Sequence, residues 1–151
     1  MADINFDDTS GENETVALIE LLFFAYRDFV SDPDAGLEQL GFGRAHHRVV
    51  HFVGRYPGMT VAQLLDILRI TKQSLGRVLK ALIDKGYVFQ KEGETDRRQR
   101  LLHLTKAGGE LRQQLMAPQI SRIRRAVSET AGNGKSSMRD ILYHLVSPEN
   151  R

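Results

Sequence analysis

Cysteine is absent from this chain. Disulfides, thiolate catalysis and thiol redox sensing are therefore excluded, and a reducing, cytoplasmic setting is expected. No apolar run approaches the roughly 18 residues that span a bilayer, so no membrane partner is expected. The opening residues, MADINFDD, are acidic and lack the basic stretch that begins a secretory signal. No nucleophile elbow, phosphate-binding P-loop or dinucleotide-binding glycine pattern occurs. Internal repeats and low-complexity segments are missing too. The expectation is a globular protein that is not an enzyme and needs no cofactor. With 151 residues, 41% of them hydrophobic, it can bury a real core as one compact domain or a domain with an appended subdomain.

Charge is present, and it is sorted along the chain. The net of +2 conceals two opposed segments. Residues 1–38 hold ten acids and a single base, Arg27, for a net of −9, whereas residues 69–106 hold ten bases and four acids, for a net of +6. Positive charge gathered in one segment is the footprint of a polyanion partner. On charge alone, a solvated basic face fits equally well.

Residues 1–12 read as a mobile acidic tail. A helix is predicted from about Glu14 to Val30, with Leu18, Leu22, Tyr26, Phe29 and Val30 at helical spacing. Leu21, Phe23, Phe24 and Ala25 widen its apolar surface, so it must be buried on several sides, and a partner chain is one way to do that. Pro33 ends it. A second helix is predicted over Gly43–Tyr56, with Ala45, Val49, Phe52 and Val53 as its stripe, and Pro57-Gly58 breaks the chain.

Residues 60–86 are the most informative. Thr60 can cap a short helix, with Gln63 placed for a capping box. Thr71 can cap the next helix, about 71–85, and Gly86 suits the left-handed exit. Two short helices joined tightly match a helix-turn-helix. In the second of them Leu75, Val78, Leu79, Leu82 and Ile83 fall on one side. Lys72, Gln73, Gly76, Arg77 and Lys80 fall on the other, with no acid before Asp84. Arginine and lysine can contact phosphates or guanine edges, and glutamine can pair with adenine. An ordinary amphipathic surface helix usually intersperses acids for pairing; this one does not over its first three turns.

A hairpin should follow. Tyr87–Lys91 has strand propensity, Glu92–Asp96 reads as a turn, and Arg100–Thr105 can return. Its end, about residues 92–100, carries Arg97, Arg98 and Arg100, which suits a narrow minor groove and its flanking phosphates. Thr105 then caps a long helix marked by Leu111, Leu115, Ile123 and Val127, which Pro118 should kink or divide. After Asn133-Gly134 a last helix carries Met138, Ile141, Leu142 and Leu145.

The sequence resembles the MarR family of bacterial regulators. The resemblance is sharpest across TKQSLGRVLKALIDKGYV and DRRQRLLHLT, where Asp96, Arg98, Leu104 and Thr105 fill the family's wing pattern. It implies a mainly α protein with a small β-hairpin wing. Residues 58–105 would form a winged helix-turn-helix lobe, and residues 13–57 with 106–151 a helical dimerisation domain. It implies a homodimer on double-stranded DNA, with Thr71, Lys72, Gln73, Ser74, Arg77, Lys80, Arg97, Arg98 and Arg100 at the interface. Asp96 would pair with Arg98 and orient the wing. Gly76 departs from the family, which often has serine or threonine there. Many members respond to a small organic effector held between the dimer helices and the lobes. Phe23, Phe24 and Phe52 are candidates to line such a pocket, or are simply core.

Three other readings compete. Five histidines, His46, His47, His51, His103 and His144, leave room for catalysis without any motif to support it. His47 and His51 stand four apart and could share a metal with acids of the first helix, giving a metal-responsive regulator. An effector-independent DNA-binding protein fits the same residues.

Overall fold

The structure, a computed structural model, describes residues 11–151. The expected tail lies outside the described residues except at its end, where Gly11 (φ 57°) precedes a helix that already begins at Glu12. The helices are α1 (Glu12–Ser31), α2 (Asp34–Gln39), α3 (Arg44–Arg55), α4 (Val61–Leu68), α5 (Lys72–Asp84), α6 (Lys106–Glu129) and α7 (Gly134–Leu145). The strands are β1 (Met59–Thr60), β2 (Val88–Glu92) and β3 (Arg100–Leu104), followed at the end of the chain by one 3-10 turn, Pro148–Asn150. All strand pairing is antiparallel, in the order β1-β3-β2, with Val88 opposite Leu104 and Glu92 opposite Arg100. The protein is mainly α with a small β-hairpin wing.

Side-chain caps set the helix boundaries. Thr60 accepts from the Gln63 amide at 3.2 Å while the Gln63 side chain accepts from the Thr60 amide at 2.9 Å, a complete capping box. Thr71 caps α5 by accepting from Ser74 N at 3.1 Å. Asn133 caps α7 in the same manner. Gly86, at φ 79°, provides the left-handed exit from α5. The turn between α4 and α5 uses Arg69 at φ 51°, the one non-glycine residue with positive φ among those described.

One apolar cluster holds the lobe together. Leu64, Leu75, Leu82 and Leu102 are fully buried with Val49, Val50 and Val53 of α3, and Leu111 and Leu115 of α6 close the cluster. Each such leucine contributes about 1.5–3 kcal/mol by burial, so the apolar side of α5 is locked down and its other side faces out. Val50 belongs to this core although it lies outside the expected stripe of α3.

The lobe is fastened to α6 at Thr105. Its amide donates to Tyr87 O at 3.1 Å, its hydroxyl donates to Gly86 O at 2.6 Å, and the same oxygen accepts from Gly108 N at 3.0 Å. Gly108 is required there, because a Cβ would collide with the Tyr87 carbonyl. Helix α6 then runs unbroken through Pro118, so the expected division does not occur. Leu111 and Leu115, buried just before the proline, hold that half of the helix on the core.

The outer helices contrast with the lobe. The C-cap of α1, Asp32, forms a two-pronged ion pair with Arg122 of α6 at 2.6 and 2.7 Å, and Gln119 donates to Phe29 O. Beyond this clamp α1 buries only Ala17 among its apolar side chains and exposes Leu18, Ile19 and Phe23, each by at least 60%. Ile141 and Leu145 of α7 are each 61% exposed. Phe23 is thus not core, and Phe24 is half-buried, edge-on to it.

His46 ties the start of α3 to protonation. Its Nδ1 accepts from the Gly43 amide at 3.0 Å, which requires a free lone pair, and its ring stacks on Phe42 at 4.6 Å. Burial and then the Lys85 charge hold its pKa below the ordinary 6.5. A base with a lowered folded pKa contributes stability that is whole above its unfolded value and lost as pH falls through the folded one. His47 and His51 are lowered too, mainly by burial. Thermal melting should therefore show stability falling below about pH 6.5. In His46→Gln, which keeps a capping acceptor, the fall should be shallower, by less than about one bound proton. An identical pH profile for the variant would separate His46 from the acid response.

Candidate nucleic-acid interface

Helix α5 presents the expected polar side to solvent. Lys72, Gln73, Gly76, Arg77 and Lys80 are exposed, while Ser74 is half-buried. Thr71 is exposed but committed at its hydroxyl, which caps the helix and also donates to Ser74 Oγ at 2.8 Å. Lys80 pairs with Asp84 one turn on, at 2.7 Å. Both are well exposed, and such a pair is exchanged for another anion at a cost of at most about 1 kcal/mol. Lys72, Arg77, Arg97 and Arg98 make no ion pair among the described residues. A Cβ at Gly76 would meet nothing within 4 Å, so no contact among the described residues requires a glycine there.

The hairpin is closed by its own backbone. Arg100 pairs with Glu92 across the register at 3.2 Å. Gly93 N donates to Gln99 O and Gln99 N to Asp96 O, which draws residues 93–99 into a compact loop. Gly93 permits this, since a Cβ would lie 2.5 Å from Asp96 O. Asp96 does not meet the Arg98 guanidinium. Its Oδ1 accepts from the Arg98 backbone amide at 2.9 Å. The carboxylate shapes the chain beneath Arg98 and leaves the guanidinium free, as an Asx turn does.

Behind the lobe, a cleft of about 230 Å³ lies between α1, α3 and α6. Phe52 lines it, but Phe23 and Phe24 do not. Its walls carry Tyr26, Arg44, His47, Arg48, His51 and Gln119. Arg48 donates to Tyr26 Oη at 3.1 Å, and Arg44 is held by Asp34 in a two-pronged pair, which keeps the Asp34 carboxyl below its ordinary pKa. Arg44, Arg48 and Gln119 were not among the residues singled out from the sequence. A signal was available: positions 44, 47, 48 and 51 form one helical face opposite Val49, Val50 and Val53. His47 and His51 share that face, but no group of three or more histidine, aspartate or glutamate side chains gathers to hold a metal among the described residues. No helix among those residues is long and apolar enough to cross a membrane.

Comparison with known proteins places this architecture. A sequence model described as the MarR family matches residues 40–99. The transcriptional regulator PetP of Rhodobacter capsulatus, of helix-turn-helix type, is 45% identical over 133 residues, covering 88% of this chain and 80% of that protein. Among solved structures, Streptococcus pneumoniae FabT in complex with DNA superposes with a TM-score of 0.69 at 21% identity, over 85% of this chain and 92% of that one. A MarR family protein of Mycobacterium tuberculosis in complex with p-aminosalicylic acid superposes with a TM-score of 0.62 at 22% identity, over 86% and 98%. At these identities the two structures speak for the fold alone.

The Asp96 geometry makes a prediction that separates shape from charge. Asp96→Asn keeps an acceptor for the Arg98 amide, whereas Asp96→Ala removes it. Amide hydrogen exchange at Arg98 and Gln99 should rise several-fold in Asp96→Ala, since a loop hydrogen bond is worth about 0.5–1.5 kcal/mol. It should stay near the original rate in Asp96→Asn. Equal acceleration in both variants would show that the negative charge, not the turn, orders the loop.

Proposed function

Because the chain belongs to the MarR family of transcriptional regulators, we propose that it binds double-stranded DNA in the cytoplasm as a homodimer, with α5 of each lobe in the major groove and each wing at the flanking minor groove. It is a regulator with a helix-turn-helix and not an enzyme, as are its relative and its family. The observation that carries the binding mode is the exposed side of α5, where cations, an amide and a glycine project with no acid before Asp84. The wing adds Arg97 and Arg98, which pair with no carboxylate among the described residues.

The proposed roles follow from reach and chemistry. Gln73 and Arg77 lie in the first half of the helix and would read base edges. Lys72 and Lys80 are placed for phosphates, Thr71 and Ser74 order the helix start, and Arg97, Arg98 and Arg100 follow the backbone at the wing. Gly76 keeps the centre of the reading side low. A glycine costs about 1 kcal/mol in a helix interior, and no contact among the described residues accounts for it. Close approach of DNA does.

The dimer is proposed from the bare apolar faces of α1 and α7. Contiguous exposed patches of this kind mark interaction surfaces, and two lobes are needed to read paired half-sites. The dimerisation domain would comprise residues 13–57 and 106–151. A small organic effector in the cleft beside Arg48 and Phe52 is a second element of the reading. Its support is a half-enclosed space with cationic and aromatic walls, and the ligand that the Mycobacterium tuberculosis protein was solved with.

Binding measured on the tightest site selected from random duplexes tests the interface. Arg77→Ala should cost about 1–3 kcal/mol there and relax preference at one position, while Lys80→Ala should weaken all sequences alike. Gly76→Ala should stabilise the fold, by up to about 1 kcal/mol, yet weaken DNA binding. Uniform weakening by Arg77→Ala together with unimpaired binding by Gly76→Ala would remove α5 from the major groove. For assembly, sedimentation should show a dimer at micromolar concentration. Leu142→Glu should lower both dimerisation and DNA affinity, and a stable folded monomer of the unaltered chain would refute the dimer.

A further inference from the structure

The turn between α4 and α5 holds a residue that its own backbone does not favour. Arg69 ends α4 in the left-handed conformation, at φ 51°, and its amide donates to Leu65 O at 2.8 Å. Glycine or asparagine takes such a position at least cost, because a longer side chain crowds its own backbone there. Non-glycine residues kept in this conformation cluster at functional positions. Arg69 is exposed and makes no ion pair among the described residues, although Asp66 lies three positions before it in α4. Its Nη2 donates instead to Asn150 Oδ1 at 3.1 Å, across 81 positions of sequence.

The segment that follows α7 is built to present Asn150. Helix α7 ends at Leu145, Val146 is extended, and Pro148–Asn150 makes the 3-10 turn, with Asn150 N donating to Ser147 O at 2.9 Å. Arg151 then folds back. Its Nε donates to Val146 O at 2.9 Å, its Nη2 donates to His144 O at 3.0 Å, and its guanidinium lies 5.2 Å from the centre of the Tyr143 ring. These bonds occupy carbonyls that the end of a helix leaves without partners. Residues 146–151 are thus a hook closed on the end of α7, and Asn150 links that hook to the α4–α5 turn.

Arg69 also stands at the edge of the exposed basic surface. It lies two residues before Thr71, which caps α5, and it opens the basic segment 69–106. With α5 in a major groove, backbone phosphates flank the start of the helix, and arginine is a usual phosphate contact. A bond from arginine to phosphate is charge-assisted at both ends and stronger than one to a neutral amide oxygen. Phosphate therefore displaces Asn150 from Arg69, and the tie lowers DNA affinity without abolishing it.

We propose that Arg69 is a further phosphate contact of the DNA-binding surface, and that the hook after α7 holds it back through Asn150 until DNA displaces it. The inference rests on the reading of α5 as the major-groove helix. It makes a segment attached to the outer helices a competitor of DNA for one arginine of the lobe.

The test is the affinity of the full chain for a pooled random-sequence duplex, followed by fluorescence anisotropy over a range of salt concentrations. Asn150→Ala frees Arg69 and should tighten binding about threefold per lobe, the worth of one exposed hydrogen bond. Asn150→Asp replaces the amide by a carboxylate that holds the arginine more firmly, and it should weaken binding by a similar factor. Arg69→Asn, which suits the left-handed turn, should weaken binding and lower the slope of log affinity against log salt by about one unit per lobe. In Arg69→Asn the gain from Asn150→Ala should vanish and the loss from Asn150→Asp should shrink. Asn150 is exposed, so its two variants keep the fold and decide the matter even if Arg69→Asn does not fold. Unchanged affinity in both Asn150 variants would overturn the proposal, as would an equal gain from Asn150→Ala with and without Arg69. A chain that binds the duplex but ignores Asn150 refutes the hook alone, whereas one that binds no duplex refutes the reading of α5 and the hook with it.

Discussion

The three hydrogen bonds at Thr105 are the constraint on which the rest of the molecule depends. One residue ends β3, caps α6 and holds the exit of α5, through its amide, its hydroxyl oxygen and its hydroxyl proton respectively. The α5 exit, the hairpin and the long helix therefore move together. The absence of a side chain at Gly108 brings α6 against the Tyr87 carbonyl, too close for any residue with a Cβ. An exposed polar helix joined to a long helix through a loose linker could not transmit geometry between them. This joint can.

Around that joint the chain divides its chemistry. The apolar core belongs to the lobe and to the first half of α6, and it is what turns the polar side of α5 outward. The remaining apolar side chains, on α1 and α7, find little cover in their own chain. The Asp32–Arg122 pair, the Gln119 bond to Phe29 and the Arg48 bond to Tyr26 help to tether α1.

Much of this was legible beforehand because it is local. Capping by Thr60, Thr71 and Thr105 depends on residues three positions apart, and the sorting of α5 depends on one period. What escaped is what depends on distant partners or on marginal length. Strand β1 is two residues long and exists only because Met59 and Thr60 pair with β3. Helix α2 is six residues long with one buried apolar side chain, Leu37, too little for a periodic signal. The unbroken course of α6 through Pro118 goes against local propensity, in a helix whose preceding turns are packed on the core. Asp96 was placed correctly as a neighbour of Arg98, but the sequence could not distinguish a bond to the guanidinium from one to the amide. Phe23 looked like core because aromatic residues usually are, and it lies instead on a surface that this chain alone does not cover. The polar face of α3 is marked by the same periodicity as its apolar stripe, but its cleft exists only once α1 and α6 pack beside it.

The continuity of α6 also has a mechanical meaning. Gln119, in the cleft wall, stands fourteen positions beyond Thr105 in the same helix. At 1.5 Å per residue the two are roughly 21 Å apart along a stiff rod. A tilt of roughly 5° about the cleft end would carry the wing base through nearly 2 Å, by the same rise per residue. That displacement is several times the roughly 0.5 Å spread of hydrogen-bond lengths. A helix divided at Pro118 would have absorbed the rotation as bending. Left whole, it would act as a lever, carrying a small rotation at one end to a larger displacement at the other.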